Sequence, residues 1–175
     1  MRKKLYILLA TLGFLTYSSD IFAQDANTKI KAIFIYNFAK YVEWPPQKAN
    51  SDFVITLVTS NTGLIKELEK MALTCKVGSQ KIVIKVCTKP SEIGTSNLLF
   101  LGNDKVSQIA EYNTKCLANN ILLVTEGTGL IKKGAILSFV YADNKQQFEL
   151  SKINAKKAGL YVSNNLANMA KTVEQ

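Results

Sequence analysis

The chain has 175 residues, 22 lysines and arginines against 13 aspartates and glutamates, a formal net charge of +9 and no histidine. The missing imidazole removes the usual general base, the Ser-His and Cys-His dyads and the commonest metal ligand. No P-loop, Gly-x-Gly-x-x-Gly or paired-carboxylate motif stands in for it, so an enzyme, a cofactor and a metal site are all disfavoured. Beyond Arg2 all basic residues are lysines, and without the planar guanidinium fork that reads guanine and clamps phosphate a nucleic-acid partner is disfavoured too.

The first element is an export signal. Arg2, Lys3 and Lys4 form a basic start, Leu5 to Tyr17 an apolar stretch too short to span a bilayer, and Ala23 a small residue at a plausible cleavage point. Cleavage there leaves residues 24–175, enough for one domain with one core, at a net charge of +7 after loss of Arg2, Lys3, Lys4 and Asp20. No later stretch is long and apolar enough to be a transmembrane segment. The lysines, Lys29, Lys31, Lys40 and Lys85 among them, are spread along the chain as a solvated basic surface would be.

From Ile30 to Pro46, IKAIFIYNFAKYVEWPP reads as an amphipathic helix. At about 100° per residue, Ile30, Ile33, Phe34, Asn37, Tyr41 and Trp44 share one face with Phe38 at its edge. Asn37 lies near the centre of that face, where an unpaired amide costs about 1–3 kcal/mol, so it is expected to have a partner. Pro45 closes the helix and leaves Trp44 as an end anchor whose indole N–H needs an acceptor if buried. Phe34, Asn37, Tyr41 and Trp44 are the candidate lining of a partner or ligand surface; core packing is the plainer alternative.

Farther on, Asp52 to Thr59 is a short apolar, β-branched run and reads as a buried strand. Asn61 or Thr62 caps a helix to about Leu73, with Leu64, Ile65, Leu68 and Met71 at helical spacing. A turn over Val77 to Gln80 leads to a strand at Lys81 to Val86. Asn97 to Leu101 and Asn120 to Thr125 are further apolar runs, with a helix around Val106 to Tyr112 between them. Ala135 to Ala142 and Gln146 to Leu150 form a hairpin across Asp143-Asn144. Ser151 caps a helix that stops at Gly159, and Ser163 or Asn164 caps a last one with Leu166, Met169, Ala170 and Val173 on its apolar side. Strands alternating with helices predict an α/β fold, a single-domain layered sandwich with a mixed, partly parallel sheet flanked by helices.

Cys75, Cys87 and Cys116 are odd in number, so at most one internal disulfide can form and at least one thiol stays free. No Cys-x-x-Cys spacing supports thiol-disulfide catalysis. Carboxylates such as Glu43, Asp52, Asp104, Glu111 and Glu126 are scattered, and Gly127-Thr128-Gly129 reads as a turn sooner than a phosphate cradle.

Three blocks, KAIFIYNFAKYVEWP, KKGAILSF and FELSKINAKKAGLYVSNNLANMA, resemble in order and spacing the YfiR-like family of exported bacterial proteins. The family pattern has K-A-x-F-x-Y-N-F-x-K-x-x-x-W-P near the mature start, a double glycine before the later strand and F-E-I-N opening the final section. Here FELS replaces the last, Lys133-Gly134 the double glycine, and a cysteine often found before the middle strand is replaced around Asn97. Relatives' disulfides therefore do not carry over. The resemblance implies a periplasmic, homodimeric regulator that binds the periplasmic sensor region of an inner-membrane diguanylate cyclase and holds it inactive. The rival expectation is a periplasmic small-molecule sensor that reports to a transporter or a sensor kinase.

Overall fold

Strands with no polar face need cover on both sides, and that requirement organises the molecule. The computed structural model of the protein describes residues 19–46 and 51–175, with side chains from residue 26 onward; the expected export signal lies outside them as far as residue 18. Strands β2 (Phe53–Val58) and β5 (Leu98–Leu101) are buried at every residue. With β4 (Gln80–Val86), β6 (Leu122–Glu126) and β7 (Leu137–Ala142) they form a parallel core in the order β4-β2-β5-β6-β7. Strand β8 (Lys145–Ser151) pairs antiparallel to β7, β10 (Thr172–Glu174) parallel to β8, and β3 (Lys76–Val77) antiparallel to β4, making eight strands in one sheet. This is the mixed α/β single-domain fold that the alternating pattern predicts.

One face of the sheet carries α1 (Ser19–Tyr41), α2 (Thr62–Thr74), α4 (Lys152–Lys157) and α5 (Asn164–Met169), packed over Phe53, Ile55, Leu57, Phe100, Val124 and Phe139. The other carries α3 (Ile109–Ala118) and short 3-10 turns over Leu99, Leu101 and Leu123. Local chemistry places these elements as the sequence suggests. Asn61 Oδ1 accepts from Leu64 N at 3.0 Å and Ser151 Oγ from Asn154 N at 3.1 Å, each relieving an orphan helix N–H. Asp143 and Asn144 both have positive φ, 52° and 57°, as a two-residue hairpin turn of matching twist requires.

Four expectations are corrected. Helix α1 ends at Tyr41, not beside Pro45, because Val42 and Glu43 form β1 and pair antiparallel with β9 (Tyr161–Val162). Its buried stripe is Lys31, Ala32, Ile35, Phe38, Ala39 and then Val42, while Ile30 and Ile33 are 43% and 52% exposed; this face is turned by about 140° from the expected one. Ala32 and Ala39 are the small members of this stripe, and the most extensive backbone approach of α1 is to helix α2, with Thr28 lying against Gly63. Finally, α5 stops at Met169, half exposed, and Val173 belongs to β10 and not to a helix face. The helix expected at Val106 to Tyr112 starts as a 3-10 turn over Asn103–Gln108 and becomes α3 from Ile109.

Candidate functional site

The four residues singled out on the first helix lie in two places. Phe34 is half-buried within an aromatic group, its ring centroid 5.9 Å from Phe38, 6.0 Å from Phe139 and 5.7 Å from Phe148. Tyr41 is also half-buried against this core, and its carbonyl accepts from Ser163 N at 3.1 Å. Trp44, past the helix end, meets Phe53 edge-on at 5.0 Å and donates its indole N–H to the Asn97 carbonyl at 3.1 Å. Asn37 is half-buried, and its side chain makes no hydrogen bond to another described residue. Since the buried stripe runs along a different side of α1, solvent can serve this amide, and the partner expected of a core position is not required.

All three thiols are free. Burial pushes the Cys116 thiol up to about 12, and burial followed by the charge of Glu92 raises that of Cys87. Tyr112, beside them in the same core, is also pushed up to about 12, first by burial and then by the charges of Cys87, Glu92 and Glu111. Such groups stay protonated and unreactive at neutral pH.

The parallel strands all end on one edge, where open α/β sheets receive ligands, in the crevice where the strand order reverses. Here it reverses between β2 and β5. That crevice is filled by the chain itself: Thr59 Oγ1 donates to Asp104 Oδ1 at 3.2 Å, Ser60 N to Asp104 Oδ2 at 3.1 Å, and a Cβ on Gly102 would stand 2.5 Å from Thr59 Oγ1. Open space lies beside it, over the ends of β6 and β7, as a cleft of about 220 Å³.

Several elements meet in this cleft. Helix α1 brings Asn27 and Lys31, the latter only 8% exposed, and Lys31 is ion-paired with Glu126 at the end of β6. Asn27 Oδ1 is buried with no hydrogen-bond partner. Asn103 and Thr128 come from the loops after β5 and β6, and Tyr141 and Gln146 from the β7–β8 hairpin. The loop after β6 is held in place: Ser138 Oγ donates to the Gly127 carbonyl at 2.5 Å and Gly129 N donates to Glu149 Oε2 at 2.8 Å, with φ of 145° and 73° at the two glycines. Neither Phe34, Asn37, Tyr41 nor Trp44 lines it.

Sequence reasoning missed Lys31 and Glu126, counting one among the solvated lysines and the other among scattered carboxylates. The one local signal, Lys31 in line with Ile35 and Phe38 four and seven residues on, marks burial of the lysine and not a cleft.

The strand order is that of a doubly wound α/β domain, and among the described residues no three His, Cys, Asp or Glu could hold a metal ion. Residues 28–171 match the DUF4154 family, described as YfiR/HmsC-like, and the chain belongs to that family. Its members are known as periplasmic regulators, a regulatory family and not a catalytic one. A solved structure from Vibrio cholerae O1 biovar El Tor, titled a conserved domain protein, shares the fold at a TM-score of 0.59 and 11% identity, over 82% of this chain and 60% of that one. The present chain thus spans less than two thirds of that protein. No curated protein matches the chain. Among the described residues no helix is long and apolar enough to cross a membrane.

Proposed function

We propose that the protein is a periplasmic regulator, released by cleavage after Ala23 as residues 24–175, which binds the periplasmic sensor region of an inner-membrane signalling protein and holds it inactive. A diguanylate cyclase is the first candidate for that partner, and the regulator acts as a homodimer without catalysing a reaction. The observation that carries this reading is the family match over residues 28–171. Inhibition needs only that the regulator bind the inactive conformation of its partner better than the active one, since a ligand shifts an equilibrium by its differential affinity. The half-buried set of Phe34, Asn37, Tyr41 and Trp44 supplies residues for the contact, Asn37 above all, because its amide has hydrogen-bonding capacity to offer.

Deleting the gene is expected to raise cyclic-di-GMP several-fold in a strain that retains a co-encoded membrane cyclase, and restoring the wild-type chain to lower it again. Unchanged cyclic-di-GMP in the deletion strain would refute the cyclase as partner.

A further inference from the structure

We propose that the cleft at the carboxyl edge of the sheet binds a neutral, hydroxyl-rich ligand the size of one monosaccharide. The proposal rests on the cleft's own residues and is independent of which protein the regulator controls.

Charge comes first. Lys31 and Glu126 neutralise each other inside the cleft, so the pair presents no net charge for an anion or a cation to balance. A ligand without net charge disturbs neither side chain, and breaking a buried pair from one side is costly.

Hydrogen-bonding capacity comes second. Asn27 Oδ1 is buried without a donor. Glu126 meets Lys31 through Oε1 and leaves Oε2 open, and Gln146 makes both its hydrogen bonds through Nε2, to the carbonyls of Val140 and Gln147, leaving Oε1 open. The Asn103 amide makes no hydrogen bond to a described residue. The cleft thus presents unspent acceptors and unspent donors side by side, and a ligand rich in O–H groups, each a donor and an acceptor at once, meets both kinds.

Shape comes third. The Tyr141 side chain lines the rim and is 66% exposed, an aromatic face on which the apolar side of a sugar ring can rest. At about 220 Å³ the space falls below the range of about 300–1,000 Å³ that drug-sized ligands occupy.

The test is a titration of the folded mature chain, followed by backbone amide NMR, with glucose, galactose and N-acetylglucosamine, and with glucosamine and glucuronate as charged analogues. The expected result is saturable shifts clustered at Asn103, Glu126, Thr128, Tyr141 and Gln146 for at least one neutral sugar, with the charged analogues binding about tenfold more weakly. Tyr141→Ala and Asn103→Ala change exposed side chains, so each should keep the wild-type melting temperature while weakening binding about tenfold. Tyr161→Ala, exposed elsewhere, should bind as wild type. The proposal is overturned if none of the three sugars gives saturable shifts at those residues, if a charged analogue binds more tightly, or if both variants bind unchanged. These outcomes do not depend on cyclic-di-GMP levels, so this site and the cyclase partner stand or fall separately.

Discussion

Over the carboxyl ends of the strands, helix α1 is tied down by the buried lysine 31 and Glu126; past its other end, Trp44 is tied by a ring contact with Phe53 and a hydrogen bond to Asn97. The tryptophan end is ordinary packing with a satisfied indole. Around it, Asn97 Oδ1 accepts from Val54 N at 3.0 Å and Thr56 Oγ1 meets Ser96 Oγ at 2.5 Å, so its polar groups mostly serve the fold; the Asn97 Nδ2 is the one left over. The lysine end is different. There a buried ion pair does the fastening, and the space in front of it is open, as it also is beside Asn97, where a cavity of about 500 Å³ lies. A helix fastened by packing at one end and by charge at the other can hold its register with the first and keep binding capacity at the second.

The largest effect separating the two ends is expected from Glu126→Ala. It leaves Lys31 buried and unpaired, and the loss should be about 3 kcal/mol, measured by urea unfolding, because the stranded charge must be desolvated without compensation. A loss under about 1 kcal/mol would show that Lys31 reaches solvent and that the pair is a surface one.

Alkaline pH sharpens the comparison from the opposite face of the sheet. Cys116 and Tyr112 are held protonated up to about 12 in the fold, against ordinary values of 9.0 and 10.0. Below about pH 8 both states keep these protons and neither group contributes a slope. Between there and about pH 12 the unfolded chain releases protons that the folded chain retains, so stability falls as pH rises. Cys116→Val should flatten this alkaline limb without abolishing it, since Tyr112 remains, whereas Trp44→Phe should leave the slope as it is. Stability followed by denaturant midpoint from pH 8 upward distinguishes them, within the range that either variant tolerates.

At the packing end, Trp44→Phe keeps a ring against Phe53 and removes the N–H donated to Asn97. The expected loss is about 1 kcal/mol, the net value of one hydrogen bond.

These contrasts also mark what the sequence could reveal. The central strands were legible because runs such as FVITLV and NLLFL are apolar at all but one position, as strands covered on both faces are. Asn61, Ser151 and the Asp143-Asn144 turn were legible because each acts on backbone within three residues of itself. The face of α1 was not. Ile30, Ile33 and Trp44 outweigh Ala32 and Ala39 in any count of apolar bulk, yet the side with the small residues is the buried one, because α1 packs against helix α2 as well as against the sheet. The cleft was illegible for a related reason: Lys31 and Glu126 lie 95 residues apart and acquire meaning only when the fold superposes them. The family signature, by contrast, was legible despite three departures, since its first block, with Phe34, Phe38 and Trp44, stands intact in the sequence.

Lys31→Met is expected to give the smallest effect and the finest discrimination. Glu126 keeps 30% of its side chain exposed, so when its partner is removed water can take over the carboxylate. Methionine meanwhile suits a stripe already made by Ala32, Ile35 and Phe38. The net change should fall within about 1 kcal/mol of zero, well below that of Glu126→Ala, although both variants delete the same pair. In a double-mutant cycle, Lys31→Met should recover most of what Glu126→Ala loses, because removing the stranded charge removes the cause of the loss. Equal and additive losses from the two substitutions would mean that each side chain is held by other contacts, and that the carboxyl end of α1 is fastened by packing just as the tryptophan end is.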